Sequence, residues 1–411
     1  MNEQAADLLL QCLRQDARVD RGRLSALAAE EWASLRSMAS AHGVQELLLS
    51  RLAESGLDTA MPESMLADTR DAARRAAVRS LGLLRDLDRV GGALHAARIP
   101  VIALKGAHLA RAVYTSAALR SMSDVDLLVH AGDLARATSA LEIEGYAPRA
   151  PAGKAVEPPT ANPYHLPRFF KRGAVGIELH WTLPSPSAFC DEQGVWDRAV
   201  PLRTGDGNLL ALCPEDLLLH LCAHASYQHY FEMGLRPACD VAATIERYRD
   251  RLDWTAVVAR AQQWRWDRGT YLSLRLAREM LGATVPDSAQ CALRPADFDE
   301  TFITAARTLT LLDSRTHRAL PATLGAATAA RGARQRVVEV LRRVFLPRAL
   351  VANLYAVSPR SFKVLLYYPI RLKDLLRRHA HLAFQLFGGD PILRSITTQK
   401  AAIRYWLSHT A

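Results

Sequence analysis

Long apolar runs are missing from this chain of 411 residues: no stretch of about 18 or more apolar residues occurs, so no transmembrane helix is expected. The start, MNEQAADLLLQCLRQDARVD, has no basic segment leading into an apolar core, which argues against a secretory signal. Cysteine is sparse and scattered: Cys12, Cys190, Cys213, Cys222, Cys239 and Cys291 include no C-x-x-C pair. Reduced, mostly buried thiols are expected, and neither a disulfide framework nor a cysteine zinc site. The expected location is the cytoplasm. No internal repeat is visible, and only the Ala-rich patch near 319–330, read as a linker, is low in complexity.

Acidic residues are scarce in the last quarter. From Leu311 onward 17 Lys and Arg face 4 Asp and Glu, a net of +13 against +10 for the whole chain. The first 310 residues therefore sum to −3. Grooves that hold nucleic acid are basic, so this distribution argues against nucleic acid as the partner of the larger part. The basic segment PRSFKVLLYYPIRLKDLLRRHAHLAFQLF interleaves Arg and Lys with Phe, Leu and Tyr. It suits an acidic partner, an anionic membrane surface peripheral to the cytoplasm, or apolar packing onto the body with the arginines solvated.

What is present changes pattern along the chain. Residues 1–97 repeat apolar positions at helical spacing, and Pro62 fits a helix start. IPVIALKG (99–106) then reads as a short strand ending at glycine, and AHLARAVY as a helix. RSMSDVDLLV (120–129) reads as a strand, followed by a helix from about Asp133 to Glu144 closed by Gly145. After a Pro-rich loop (150–163), HLPRFFKRG and AVGIELHW read as two more strands. From Pro214 the chain is helical again, and 331–387 reads as helical pieces broken by Pro347, Pro359 and Pro369. The expected division is a helical domain over 1–97, an α/β domain over 98–212, a helical domain over 213–318 that completes a cleft, and a basic helical region over 319–411.

Two carboxylates interrupt the 120–129 strand. Asp124 and Asp126, at i and i+2, share one face, with Val125 on the other. Adjacent like charges beside an apolar core are costly unless a cation compensates them. Glu178, between Ile177 and Leu179, faces away from the side those two bury. If its strand neighbours the Asp-x-Asp strand, three carboxylates converge, a hard oxygen set that suits Mg²⁺ or Mn²⁺. Surface acids at strand ends are the competing reading. Lys105 and Gly106 end one strand and open a helix, where free N–H groups and a small residue suit a phosphate. Arg120, in the loop before Asp124, is placed either to reach a triphosphate or to sit solvated. His220 and His224 share a helix face at i, i+4, but Leu-Cys-Ala between them is not the zinc-protease pattern, so packing or hydrogen bonding to the sheet is expected.

The order Lys-Gly, helix, Arg-x-x-x-Asp-x-Asp, helix, Glu-x-His-Trp resembles the nucleotidyltransferase superfamily of the DNA polymerase beta type. More narrowly it resembles the bacterial family labelled uncharacterised nucleotidyltransferases. The pieces that carry the resemblance are LKGAHLARAVY, LRSMSDVDLLV, VGIELHW and LLLHLCAHASYQHYFEMGLRPACDVAATI, over about residues 95–250. One departure is visible: Lys-Gly stands where the wider superfamily has Gly-Gly or Gly-Ser. The resemblance implies an α/β nucleotidyltransferase fold, a small mixed sheet with helices, between N-terminal and C-terminal helical regions. It implies Mg²⁺-dependent transfer of a nucleoside monophosphate from a nucleoside triphosphate such as ATP to a hydroxyl of a small molecule, sugar or peptide. Asp124, Asp126 and Glu178 would be the catalytic and metal-holding residues; Lys105, Gly106, Arg120 and Arg236 would bind the nucleotide; His180, His220, His224 and Asp240 would stand behind them. A catalytically silent binding module of the same fold and a protein-adenylylating enzyme are the alternatives.

Overall fold

A seven-stranded mixed sheet organises the computed structural model, which describes residues 3–16, 20–148, 164–183, 190–203, 208–312, 345–346, 348, 351, 361–362, 364–373 and 391–408. The strands are β1 (Ile102–Ala103), β2 (Asp124–Leu128), β3 (Ala147–Pro148), β4 (Phe169–Phe170), β5 (Gly176–His180), β6 (Val200–Arg203) and β7 (Asn208–Ala211), in the order β3-β4-β5-β2-β1-β7-β6. β2 lies between β1, which is antiparallel to it, and β5, which is parallel. In that register Asp124 faces Gly176, Asp126 faces Glu178 and Leu128 faces His180.

Alternation along the strands separates two layers. Val125, Leu127, Ile177 and Leu179 are buried in a core with Leu83, Leu87, Val90 and Leu94 of the Glu63–Ala96 helix and Ala137, Ala140 and Leu141 of the Leu134–Ile143 helix. The long helix places its apolar residues at spacings of three and four, which makes one stripe. Gly91 lets it approach the sheet, since a Cβ there would come 3.0 Å from the Leu209 side chain. The opposite sheet face carries the carboxylates. It meets the helices after Cys213, which share a continuous core with the N-terminal helices through Trp32, Leu217, Trp264 and Trp266.

The elements differ from expectation at four places. HLPRFFKRG contributes only β4 and a bridge between His165 and His180, because Pro167 has no N–H to give a ladder. The helix after Lys105 is α-helical only over Lys105–His108 and widens into a π turn, Leu109–Val113. A second π turn, His224–Gln228, follows the Pro214–Ala223 helix. β6 and β7 form an antiparallel pair that extends the sheet beyond β1. The linker expected near 319–330 lies outside the described residues, as does most of the 331–387 segment.

Charges and imidazoles buried between the layers shape stability. Asp216 is fully buried and accepts from Arg198 Nε at 3.0 Å and Arg260 Nη1 at 2.9 Å. Asp216→Ala should therefore cost about 3 kcal/mol in urea unfolding, and Arg198→Ala clearly less, because only the first strands two cations at once. His220, also fully buried, has no hydrogen-bond partner for either ring nitrogen among the described residues, and burial pushes its pKa down to about 3. Burial likewise pushes His108 and His229 down to about 4. These rings stay neutral in the folded chain while the unfolded chain takes up protons below about pH 6.5, so their contribution is whole above that pH and is lost as pH falls toward 4. His220→Phe should reduce the slope of unfolding free energy against pH between 6 and 4 by about 1.4 kcal/mol per unit, one proton's worth. An unchanged slope would show that His220 titrates normally.

Candidate functional site

The site grows from the edge of β2. Leu104 N–H donates to Asp126 O at 3.0 Å, tying the end of β1 to β2 and turning the chain into the Lys105–His108 helix. Lys105 sits at that turn with φ of 45°, in the left-handed region. Its Nζ donates to Asp126 Oδ1 at 2.9 Å. His180, at the end of β5, hydrogen-bonds the same oxygen through Nε2 at 2.9 Å. Glu178 completes the patch from the middle of β5. Ligand atoms of Asp126, Glu178 and His180 all lie within 4.8 Å of one another, a group able to hold one metal ion.

Asp124 stands beside this group and is drawn to another cation. Arg168, just before β4, donates from Nη2 to Asp124 Oδ2 at 2.5 Å and from Nε to Glu178 Oε1 at 2.9 Å. Arg168 was not singled out in the sequence, where it lies inside a segment that reads as strand; the alternation of its neighbours carried no sign of it. Its guanidinium joins two of the three carboxylates, and Lys105 neutralises the third. Glu178 keeps Oε2 clear of Arg168, at 3.8 Å from His180 Nε2 and 3.9 Å from His165 Nε2.

The electrostatics follow from this pairing. Burial pushes the Asp126 carboxyl up, but the Lys105 ammonium and the His180 and Lys105 hydrogen bonds outweigh it and hold it well below the usual range. Asp124 is raised instead, by burial and then by the Asp126 charge, with Arg168 opposing. Burial lowers His180 against the pull of Asp126.

A cavity of about 790 Å³ opens over these residues and brings Lys105, Gly106, Arg120, Arg236, His224 and Asp240 to the same space. Their contacts differ from the simplest expectation. Arg120 Nε donates to both oxygens of Asp240, at 2.8 and 3.0 Å, and Tyr114 Oη donates to Asp240 Oδ1 at 2.9 Å. Arg120 is thus fixed to the Arg236–Arg247 helix. Arg236 itself does not pair with Asp240; it donates to Gly43 O at 3.1 Å and Ser121 O at 3.4 Å, and burial, then Arg120, lower its pKa. Gly106 is explained by packing, since a Cβ there would come 2.8 Å from Met122 Cγ. His220 lies behind the cavity wall, its ring 6.4 Å from that of His224, which in turn meets His229 edge-on at 4.5 Å.

Chemically, the arrangement offers a cation-binding carboxylate and imidazole set, guanidinium and ammonium groups for phosphate oxygens, and a roomy cavity walled by helices. Comparison with known families agrees. The model of an uncharacterised nucleotidyltransferase family matches residues 28–282, more than half of the chain and all of the elements that build the site up to the Asp267–Leu281 helix. Neither the curated proteins nor the solved structures yield a match. The strand pair that carries Asp126 and Glu178, the cavity above it and the match over 28–282 lead to one conclusion: the chain belongs to the uncharacterised nucleotidyltransferase family and is an enzyme of that type.

Proposed function

We propose that the chain moves a nucleoside monophosphate from a nucleoside triphosphate to the hydroxyl of a small-molecule, sugar or peptide acceptor, with release of pyrophosphate. The observation that carries this reading is the parallel register that sets Asp126 against Glu178, with Asp124 on the same face. Asp126, Glu178 and His180 would hold a divalent cation; the two carboxylates suit Mg²⁺ or Mn²⁺, and the imidazole favours Mn²⁺ of the two. Such a cation, when bound, offsets phosphate charge and lowers the pKa of a hydroxyl that it touches.

The rest is the work of this chain's side chains. In the reaction an acceptor oxygen bonds to the α-phosphorus and the bond from that phosphorus to the bridging oxygen breaks, so pyrophosphate leaves with the electron pair. Glu178 Oε2, which Arg168 leaves uncommitted, takes the acceptor proton. Lys105 and Arg236 line the cavity where phosphate oxygens would lie, and each adds charge-assisted donors. Arg120 positions through Asp240, holding the helix that presents Arg236. No nucleophilic side chain is needed, because positioning and charge neutralisation carry phosphoryl transfer.

One observation favours a second reading, a silent nucleotide-binding module of the same fold: Lys105 and Arg168 between them already pair with all three carboxylates. Calorimetric titration of each nucleoside triphosphate with and without Mg²⁺ separates the two. Binding should strengthen at least tenfold with Mg²⁺, and Asp124→Asn/Asp126→Asn should abolish that gain while circular dichroism stays unchanged. Binding that ignores both metal and substitution would overturn the transferase reading in favour of the silent module.

A further inference from the structure

The Pro391–Ser408 helix lies beyond the segment that matches the family, yet it reaches the cavity. Ile396, Lys400, Ile403 and Leu407 form its buried stripe at spacings of four, three and four. Trp406 stacks on Phe302 with ring centroids 4.6 Å apart, and Arg268 Nη1 donates to Trp406 O at 2.8 Å. Lys400, buried on the stripe, is matched by Glu232 at 2.5 Å. Apolar packing and one ion pair therefore fix the helix in rotation. Arg404 follows Ile403 at the margin of the stripe and lines the cavity together with Leu407 and Ser408.

Arg404 differs from the other cations there. Lys105, Arg120 and Arg168 each pair with a carboxylate, and Arg236 donates to two carbonyls. Among the described residues Arg404 forms no ion pair; its guanidinium lies over the Tyr230 ring, 4.5 Å from the centroid. An aromatic face orients a guanidinium without cancelling its charge, so the fork stays open to an anion. We infer that Arg404 binds an anionic group, phosphate or carboxylate, carried by the acceptor substrate. This assignment rests on the transferase reading. In that reading the donor's phosphates are served by Lys105, Arg236 and the cation that Asp126, Glu178 and His180 would hold, whereas Arg404 enters on a separate element docked against the His224–Gln228 turn and the Glu300–Leu311 helix.

The test uses the full chain with inorganic phosphate and acetate as probes, read by calorimetry in wild type, Arg404→Gln and Arg404→Lys. Each titration is run on the protein alone and again after saturation with Mg²⁺ and a non-hydrolysable triphosphate analogue. Expected is binding of at least one probe that persists under saturation, falls about tenfold in Arg404→Gln and is partly kept in Arg404→Lys. Affinity for the analogue itself should stay within twofold in both variants. Two results overturn the assignment: probe binding indifferent to Arg404, or analogue binding weakened fivefold or more in Arg404→Gln, which would make the residue part of the donor site. If the analogue fails to bind wild type while the probes still depend on Arg404, the anion site stands and the transferase reading falls. Near-UV circular dichroism of Trp406 checks that the helix remains docked.

Discussion

Three carboxylates on one face of two neighbouring strands repel one another, and much of the structure around β2 and β5 answers that repulsion. The apolar layer on the other side of the sheet leaves Asp124, Asp126 and Glu178 nowhere to turn, since Val125, Leu127, Ile177 and Leu179 own the opposite face. Lys105 and Arg168 arrive from different elements to supply the missing charge. Each must be held there, which explains why the turn after β1 tolerates an unfavourable backbone and why a short strand, β4, runs beside β5. A group able to hold a metal, assembled this way, has internal cations as competitors, so any occupancy would be a contest between fixed side chains and a mobile ion.

Much of this was legible in the sequence because strand alternation is local. The i, i+2 spacing of Asp124 and Asp126, and an Ile-Glu-Leu triplet around Glu178, state which way each side chain points before any partner is known. The neighbourhood of the two strands rested on resemblance, and the matched family bears out that resemblance at the level of the nucleotidyltransferase family. What could not be read were the long-range pairings. Arg168 is 44 residues from Asp124, and Arg120 is 120 from Asp240. Nothing in the local pattern of an arginine says which carboxylate it will meet. β6 and β7 escaped notice for another reason: four-residue strands leading into Pro214 leave too few alternations to count.

The same physics sets the character of the helical layer over the site. His108, His220, His224 and His229 are imidazoles in a medium that favours their neutral form, and the Lys105 charge adds to the effect on His220, His224 and His229. Neutral imidazoles next to an ammonium cost less than a further set of charges would, and they keep this layer polar. The i, i+4 spacing of His220 and His224 thus serves a wall of the cavity. Among the described residues, these two are not members of the group that could hold a metal ion, which Asp126, Glu178 and His180 form instead.

Lys105 is a position under two opposed demands. Its φ of 45° is one that glycine adopts freely and that costs an L-residue about 1 kcal/mol. Only a long, unbranched cation can take that shape and still reach Asp126. Lys105→Gly would relieve the peptide by about 1 kcal/mol but leave the buried Asp126 carboxylate without its ammonium, a loss of about 3 kcal/mol or more, so the exchange is a net loss of stability. Heat resistance and charge compensation therefore both keep lysine at position 105, and the strained peptide is the smaller of the two costs.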